Sequence, residues 1–141
     1  MSILSKSCIY ALRATMYTAC QGTAGALVTV QTMAQELDIP SHYLTKVLAK
    51  LSRKRIMKSQ RGKTGGMALA KPAQKITLLE IVEAIDGREP LAGCILGPTH
   101  CTERKPCPLR KSWMVEQKRL EALFSKTRIS DMVRSKGRIK L

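Results

Sequence analysis

The sequence predicts a mainly α-helical fold: a winged helix-turn-helix with a small β-hairpin wing, followed by a long C-terminal helix. Three observations predict it. Helical stripes of apolar residues stand on both sides of the break Asp38-Ile39-Pro40. A glycine-rich basic tip, Gln60-Arg61-Gly62-Lys63-Thr64-Gly65-Gly66, lies between two short β-like runs. A further helical pattern follows a loop that holds three cysteines.

The elements follow in order. Leu4, Cys8, Ala11, Leu12, Thr15, Met16 and Ala19 share one stripe of a first helix, from Leu4 to about Cys20, with Gly22 and Gly25 ending it. Leu27-Val28 is a short extended piece, and Thr29 is placed to cap a second helix through Leu37. Pro40 belongs at or before the first turn of a third helix, Ser41 to Arg53. Ile56–Ser59 and Met67–Ala70 are the wing strands, joined by a turn in which glycine supplies positive φ. Thr77 caps a fourth helix, Leu78 to Asp86, which Gly87 ends. Residues 88–107 read as a loop, about 108 to 125 as a long helix, and Ile129–Arg134 as a short helix before a basic tail that is expected to fray. The chain thus divides into a DNA-binding domain at 1–87, a cysteine-bearing loop at 88–107, and the C-terminal helix with its tail at 108–141.

Composition narrows the function. Of 141 residues, 44% are hydrophobic and only 4% aromatic, so the core must be aliphatic and methionine-rich. There are 25 Lys and Arg against 10 Asp and Glu, a net charge of +15, and a chain this basic is expected to meet a polyanion. The charge is not spread evenly: residues 39–71 hold nine basic groups and no acidic one. No apolar run is long enough for a transmembrane helix, and the N-terminus lacks the pattern of a signal peptide. The expectation is a cytoplasmic protein without membrane contact, whose cysteines are not a disulfide framework. No Ser/His/Asp set, phosphate-binding loop or paired carboxylates stand out, so the chain is not expected to be an enzyme.

The third helix sorts its chemistry by face. Leu44, Val47, Leu48 and Leu51 point inward; Ser41, His42, Thr45, Lys46, Ala49 and Lys50 point outward. Outward residues near a helix N-terminus reach base edges when such a helix enters the major groove of duplex DNA. Thr45 and His42 can hydrogen-bond to bases, and Lys46, Lys50, Arg53, Lys54 and Lys58 suit phosphates. Arg61, Gly62 and Lys63 at the wing tip can enter the adjacent minor groove. Tyr43 either contacts DNA or packs its ring against the wing.

Cys94, Cys101 and Cys107 form a C-x6-C-x5-C pattern. Thiolates are soft ligands suited to zinc or iron–sulfur clusters. Structural zinc sites bring cysteines in tighter pairs, whereas wide spacing in a loop suits wrapping a cluster. Three unligated thiols are the plain alternative. Arg104, Lys105 and Arg110 favour thiolate and offset a cluster's charge. A fourth ligand is open among Cys8, Cys20, His100, Glu103 and a residue of another subunit. His100 is cramped beside Cys101, and Cys8 and Cys20 lie on or beside an apolar stripe, where a thiol behaves as a small hydrophobe.

These pieces together resemble a known family. Tyr10-Ala11-Leu12-Arg13, Ile39-Pro40-Ser41-His42-Tyr43-Leu44, Leu48-Ala49-Lys50-Leu51, the wing Ser59–Gly66 and the helix Ile76-Thr77-Leu78-Leu79-Glu80-Ile81-Val82 resemble the Rrf-two family of winged helix-turn-helix transcription regulators. The family includes the iron–sulfur cluster regulator, the nitric-oxide-sensing repressor and the iron-responsive rhizobial regulator. The resemblance runs in order over nearly the whole chain. It implies a homodimer, crossed through the long C-terminal helix, on a palindromic operator of double-stranded DNA, and most simply a repressor. It implies an iron–sulfur cluster, [2Fe-2S] or [4Fe-4S], on Cys94, Cys101 and Cys107, whose state tunes DNA affinity to iron, redox or nitric oxide. Carried over by position, the recognition residues are Ser41, His42, Tyr43, Thr45 and Lys46, and the wing contacts Arg61 and Gly62. Trp113 stands where the family often has Trp.

Three departures stand against the pattern. The first gap between cysteines is one residue longer than is common. The position of the histidine ligand of the iron–sulfur cluster regulator is here Arg110. The acidic ligand that the nitric-oxide sensor takes from its partner's first helix falls on Ile9, beside Cys8, which makes Cys8 a candidate fourth ligand in trans. A cluster-free family regulator, controlled by a protein partner or by thiol oxidation, is the alternative; control by a partner predicts that Cys94→Ser leaves regulation intact.

Overall fold

The computed structural model of the chain describes residues 2–21, 25–97 and 107–134. Seven α-helices and one antiparallel hairpin appear among them, in the order of a winged helix-turn-helix. Helix α1 (Lys6–Cys20) starts two residues later than its apolar stripe suggests. The Ser5 hydroxyl is the reason: it accepts the Cys8 N–H at 3.1 Å and so fixes the N-cap. Thr15 and Thr18 are buried on α1, and each hydroxyl donates to the carbonyl four residues back, at 2.8 and 2.9 Å.

Helix α2 (Val30–Leu37) is capped by Thr29, whose hydroxyl accepts the Thr32 N–H at 3.1 Å. It ends at Asp38 in the left-handed region, φ 51°. Arg13 reaches across from α1 and donates to the Leu37 carbonyl at 2.7 Å. A guanidinium there satisfies a terminal acceptor and meets the negative end of the helix dipole. Arg13→Ala is expected to lower stability by about 1–2 kcal/mol in urea unfolding. An unchanged midpoint would remove the cap from the account.

Helix α3 (Ser41–Arg53) follows Pro40, with Leu44, Val47, Leu48 and Leu51 buried as periodicity requires. Strands β1 (Met57–Gln60) and β2 (Gly66–Leu69) pair antiparallel, Met57 opposite Leu69 and Gln60 opposite Gly66. Each strand is displaced by one residue from its expected bounds. Val28 adds a bridge beside β2, with its N–H donating to the Met67 carbonyl at 2.8 Å and the Met67 N–H returning at 2.7 Å. Helix α4 (Leu78–Ile85) opens with a capping box in which Thr77 and Glu80 bond reciprocally.

The C-terminal part departs more from expectation. The sequence predicts a loop throughout residues 88–107, but Glu89–Ala92 is a short helix, α5, that buries Leu91. Pro90 fits it because a first-turn N–H has no helical partner to lose. Helix α6 (Arg110–Lys126) buries none of its residues fully. Helix α7 (Ile129–Arg134) turns back into the main core, where Ile129 joins Met33, Leu44, Leu48, Leu51, Met57 and Ile81. Its Ile129 N–H donates to the Ile76 carbonyl at 2.9 Å, and the Leu78 N–H donates to the Thr127 carbonyl at 3.0 Å. The end of α6 is therefore stitched to the start of α4. Among the described residues no helix is long and apolar enough to cross a membrane.

Candidate nucleic-acid interface and cysteine site

The outer face of α3 is formed as the sequence predicts. Ser41, His42, Tyr43, Thr45, Lys46, Ala49 and Lys50 are all exposed. Tyr43 is 52% exposed, with its ring 4.4 Å from that of His42, so it leans on its neighbour and stays open to a partner. The Thr45 hydroxyl donates to the Ser41 carbonyl at 2.8 Å. Its proton is thereby engaged, and it presents a methyl and acceptor lone pairs outward.

Arg61, Gly62 and Lys63 are exposed at the wing tip, where Gly62 has φ +111° and its carbonyl accepts the Gly65 N–H at 3.0 Å. That φ favours glycine. Among the described residues Lys46, Lys50, Arg53, Lys54, Arg61 and Lys63 take part in no ion pair. Lys71, at the end of the basic block, pairs with Glu80 of α4. Within the basic block the unpaired cations therefore belong to α3, its C-terminal turn and the wing, where a phosphate backbone would meet them.

Sequence reasoning missed the neighbouring face of α2. Gln31, Thr32 and Gln35 border an open concavity of about 730 Å3 with Ser41 and Asp38. The three α2 side chains are neutral, so no charge signal marks them. The first helix of such a motif crosses the DNA backbone, where amide and hydroxyl groups serve as phosphate donors.

The structure brings two of the three loop cysteines together. Cys94, just after α5, and Cys107, just before α6, are free, half-buried thiols. Both line a cavity of about 280 Å3 with Arg110, Trp113 and Gln117. Two soft donors and a guanidinium beside one cavity fit an anionic cluster in donor chemistry and charge. Cys101 lies outside the described residues, as do His100, Glu103, Arg104 and Lys105 and the basic tail beyond Arg134. Among the described residues no three His, Cys, Asp or Glu side chains converge to hold a metal.

Cys8 sits elsewhere. It is fully buried in a small apolar cluster with Val82 and Leu91, packed by Leu12, Leu120 and Phe124. Burial, and then the nearby Asp86 carboxylate, push its thiol up to about 12. Both effects disfavour the thiolate that a metal requires. Cys20 is exposed at the end of α1.

The fold and this geometry agree with comparisons to known proteins. The model of the Rrf2 family, described as an iron-dependent transcriptional regulator, matches residues 4–135. An HTH-type transcriptional regulator of Aquifex aeolicus is 32% identical over 133 residues, covering 93% of this chain and 91% of that protein. The HTH-type transcriptional regulator NsrR of Oceanobacillus iheyensis is 30% identical over 122 residues, covering 86% of this chain and 80% of that one. Among solved structures, CymR, the global cysteine regulator of B. subtilis, superposes with a TM-score of 0.80 at 22% identity, covering 94% of this chain and 97% of that one. IscR of T. potens superposes at 0.72 and 21% identity, covering 92% of this chain and 85% of that one. An exposed basic recognition face, its wing, and a family match over nearly the whole chain make one statement: this chain belongs to the Rrf2 family of DNA-binding transcription regulators.

Proposed function

We propose that this protein is a cytoplasmic repressor that binds a palindromic operator as a homodimer, through α3 and the wing. We propose further that an iron–sulfur cluster held by Cys94, Cys101 and Cys107 sets its affinity. The observation that carries the sensing part is the shared cavity of Cys94 and Cys107, two free thiols flanked by Arg110. When bound, the cluster supplies a group whose charge and integrity change with iron supply, redox state or nitric oxide. The chain's own residues then do two things: the thiols hold the group, and the α3 and wing cations hold phosphate.

The dimer part rests on α6. Leu109 just before it, and Met114, Val115 and Leu123 along it, are each about half exposed, between 45% and 58%. A second copy of α6 crossing there would remove that apolar surface from water. A dimer spaces two recognition helices for half-sites about one helical turn apart, so an inclination of α6 changes the fit to DNA.

Anaerobic purification tests the sensor. A brown protein with iron and sulfide, lost in Cys94→Ser, is the expected outcome; a colourless protein with about one zinc per chain overturns it. The cluster-free reading, control by a protein partner or by thiol oxidation, is favoured by Arg110 standing where a family histidine ligand is expected. It predicts a colourless protein without metal.

The DNA part has its own measurement. Lys46→Ala is expected to weaken binding to all sequences and flatten the slope of log K against log salt by about 0.9 for each phosphate left without its cation. Arg61→Ala is expected to weaken binding most where the adjacent minor groove is narrow. Fluorescence anisotropy across a salt series reads both, and unchanged affinity in the two variants removes the docking arrangement.

A further inference from the structure

Two side chains of α6 converge on one backbone carbonyl beside a candidate ligand thiol. Trp113 Nε1 donates to the Gly93 carbonyl at 2.9 Å, and Gln117 Nε2 donates to the same oxygen at 2.8 Å. The two donors are one helical turn apart on the same face of α6. A carbonyl oxygen has two lone pairs, and this one is doubly engaged. Fixing a glutamine side chain has one of the larger entropic costs among the residues, so a half-buried Gln held this way marks a specific anchor.

The other side of Gly93 is held as well. Its N–H donates to the Glu89 carbonyl at 2.7 Å and closes α5. A Cβ at Gly93 would lie 2.7 Å from the Glu89 carbonyl oxygen and 3.1 Å from Glu89 Oε2, so this position admits no side chain. Immediately downstream, the Gly97 N–H donates to the Cys94 carbonyl at 3.0 Å, in a turn where Gly97 has φ +87°. The backbone of Cys94 is thus fixed before and after, while its thiol lines the cavity shared with Cys107.

We propose that Trp113 and Gln117 are positioning residues for Cys94. Their shared grip on Gly93 locks the thiol-bearing backbone to α6, so a change of state at Cys94 moves α6 instead of dissipating within the loop. This rests on the reading of Cys94 as a sensor ligand. The onward route is physical: Leu120 and Phe124 of α6 pack on Val82 of α4 and Leu91 of α5, and α4 packs against the recognition helix α3. The far end of α6 is tied to the start of α4 through the Thr127 carbonyl. The test measures the coupling along this route directly.

The test compares wild type with Trp113→Phe/Gln117→Met, which removes both donors and keeps apolar bulk. In reduced, metal-free protein, iodoacetamide alkylation is followed by peptide mass spectrometry at Cys94 and at Cys107. Loss of the grip is expected to speed Cys94 by about fivefold and to leave Cys107 within about twofold, with the circular dichroism melt retained. In a second arm, the ratio of operator affinities with and without cluster is expected to shrink in the variant. An unchanged Cys94 rate overturns the proposal, as does equal acceleration of both thiols, which signals general loosening. An unchanged affinity ratio despite faster alkylation overturns the transmission part. If the double variant does not fold, Gln117→Met alone is read the same way. A wild type that takes up no iron defeats the cluster reading, while the alkylation arm still decides the grip.

Discussion

Gly66→Ala is expected to detach the wing and weaken operator binding about tenfold, with a stability loss of about 1–3 kcal/mol. A Cβ at Gly66 would lie 2.8 Å from the Val28 carbonyl oxygen and 2.9 Å from its carbon, distances that rigid backbone cannot absorb. The strand must move away, which breaks the paired hydrogen bonds between Val28 and Met67. Met67 and Ala68, now 6% and 1% exposed, would then meet water. The wing tip moves with the strand, and Arg61 loses its aim. Gly65→Ala has the same direction, since its Cβ would stand 2.2 Å from the Gln60 carbonyl oxygen. Gly62→Ala is the contrast: nothing lies within 4 Å, so only the strain of its positive φ counts. Anisotropy on operator DNA beside thermal melts separates the three, and a Gly66→Ala protein that binds like wild type refutes the close-approach argument.

The largest effect on stability is expected from Leu51→Ala. Leu51 is fully buried in the core where α3 meets α1 and α4. Truncating such a leucine removes transferred apolar surface and leaves a cavity, together worth about 2–5 kcal/mol. Against a total stability of about 5–15 kcal/mol this is a large fraction, and the melting temperature should fall by about 10 °C. Its exposed neighbour supplies the control. Lys50→Ala is expected to leave the melt within about 0.5 kcal/mol while lowering DNA affinity. If Leu51→Ala melts like wild type, the core assignment of α3 is wrong.

Legibility differs from element to element for identifiable reasons. The two faces of α3 can be read directly, because the helical period is a property of the local backbone. The caps at Thr29 and Thr77 are equally readable, since a hydroxyl and the N–H groups of the next turn are near neighbours in the chain. The short helix α5 escapes sequence reading because Pro90, Gly87 and Gly93 look like punctuation, and its single buried side chain, Leu91, gives no period. The α2 residues Gln31, Thr32 and Gln35 carry no charge to reveal them. The basic block over 39–71 has no acidic residue of its own, yet Lys71 meets Glu80 from beyond it.

The candidate site shows the same division. Cysteine spacing marks Cys94 and Cys107 as partners, because both flank one loop. Cys8 falls on the apolar stripe of α1, but only the folded chain closes Val82 and Leu91 over it and sets Asp86 nearby, which disfavours its thiolate. The return of Ile129 to the main core, the contact of Gly66 with Val28, and the paired hydrogen bonds from α6 to the Gly93 carbonyl likewise join residues distant in sequence. Element type, facing and charge distribution follow from interactions within a few residues, so the chain carries them openly. What covers a thiol, which backbone presses on a glycine, and which helix grips a cysteine-bearing loop depend on contacts made across the folded chain, and only the tertiary arrangement decides them.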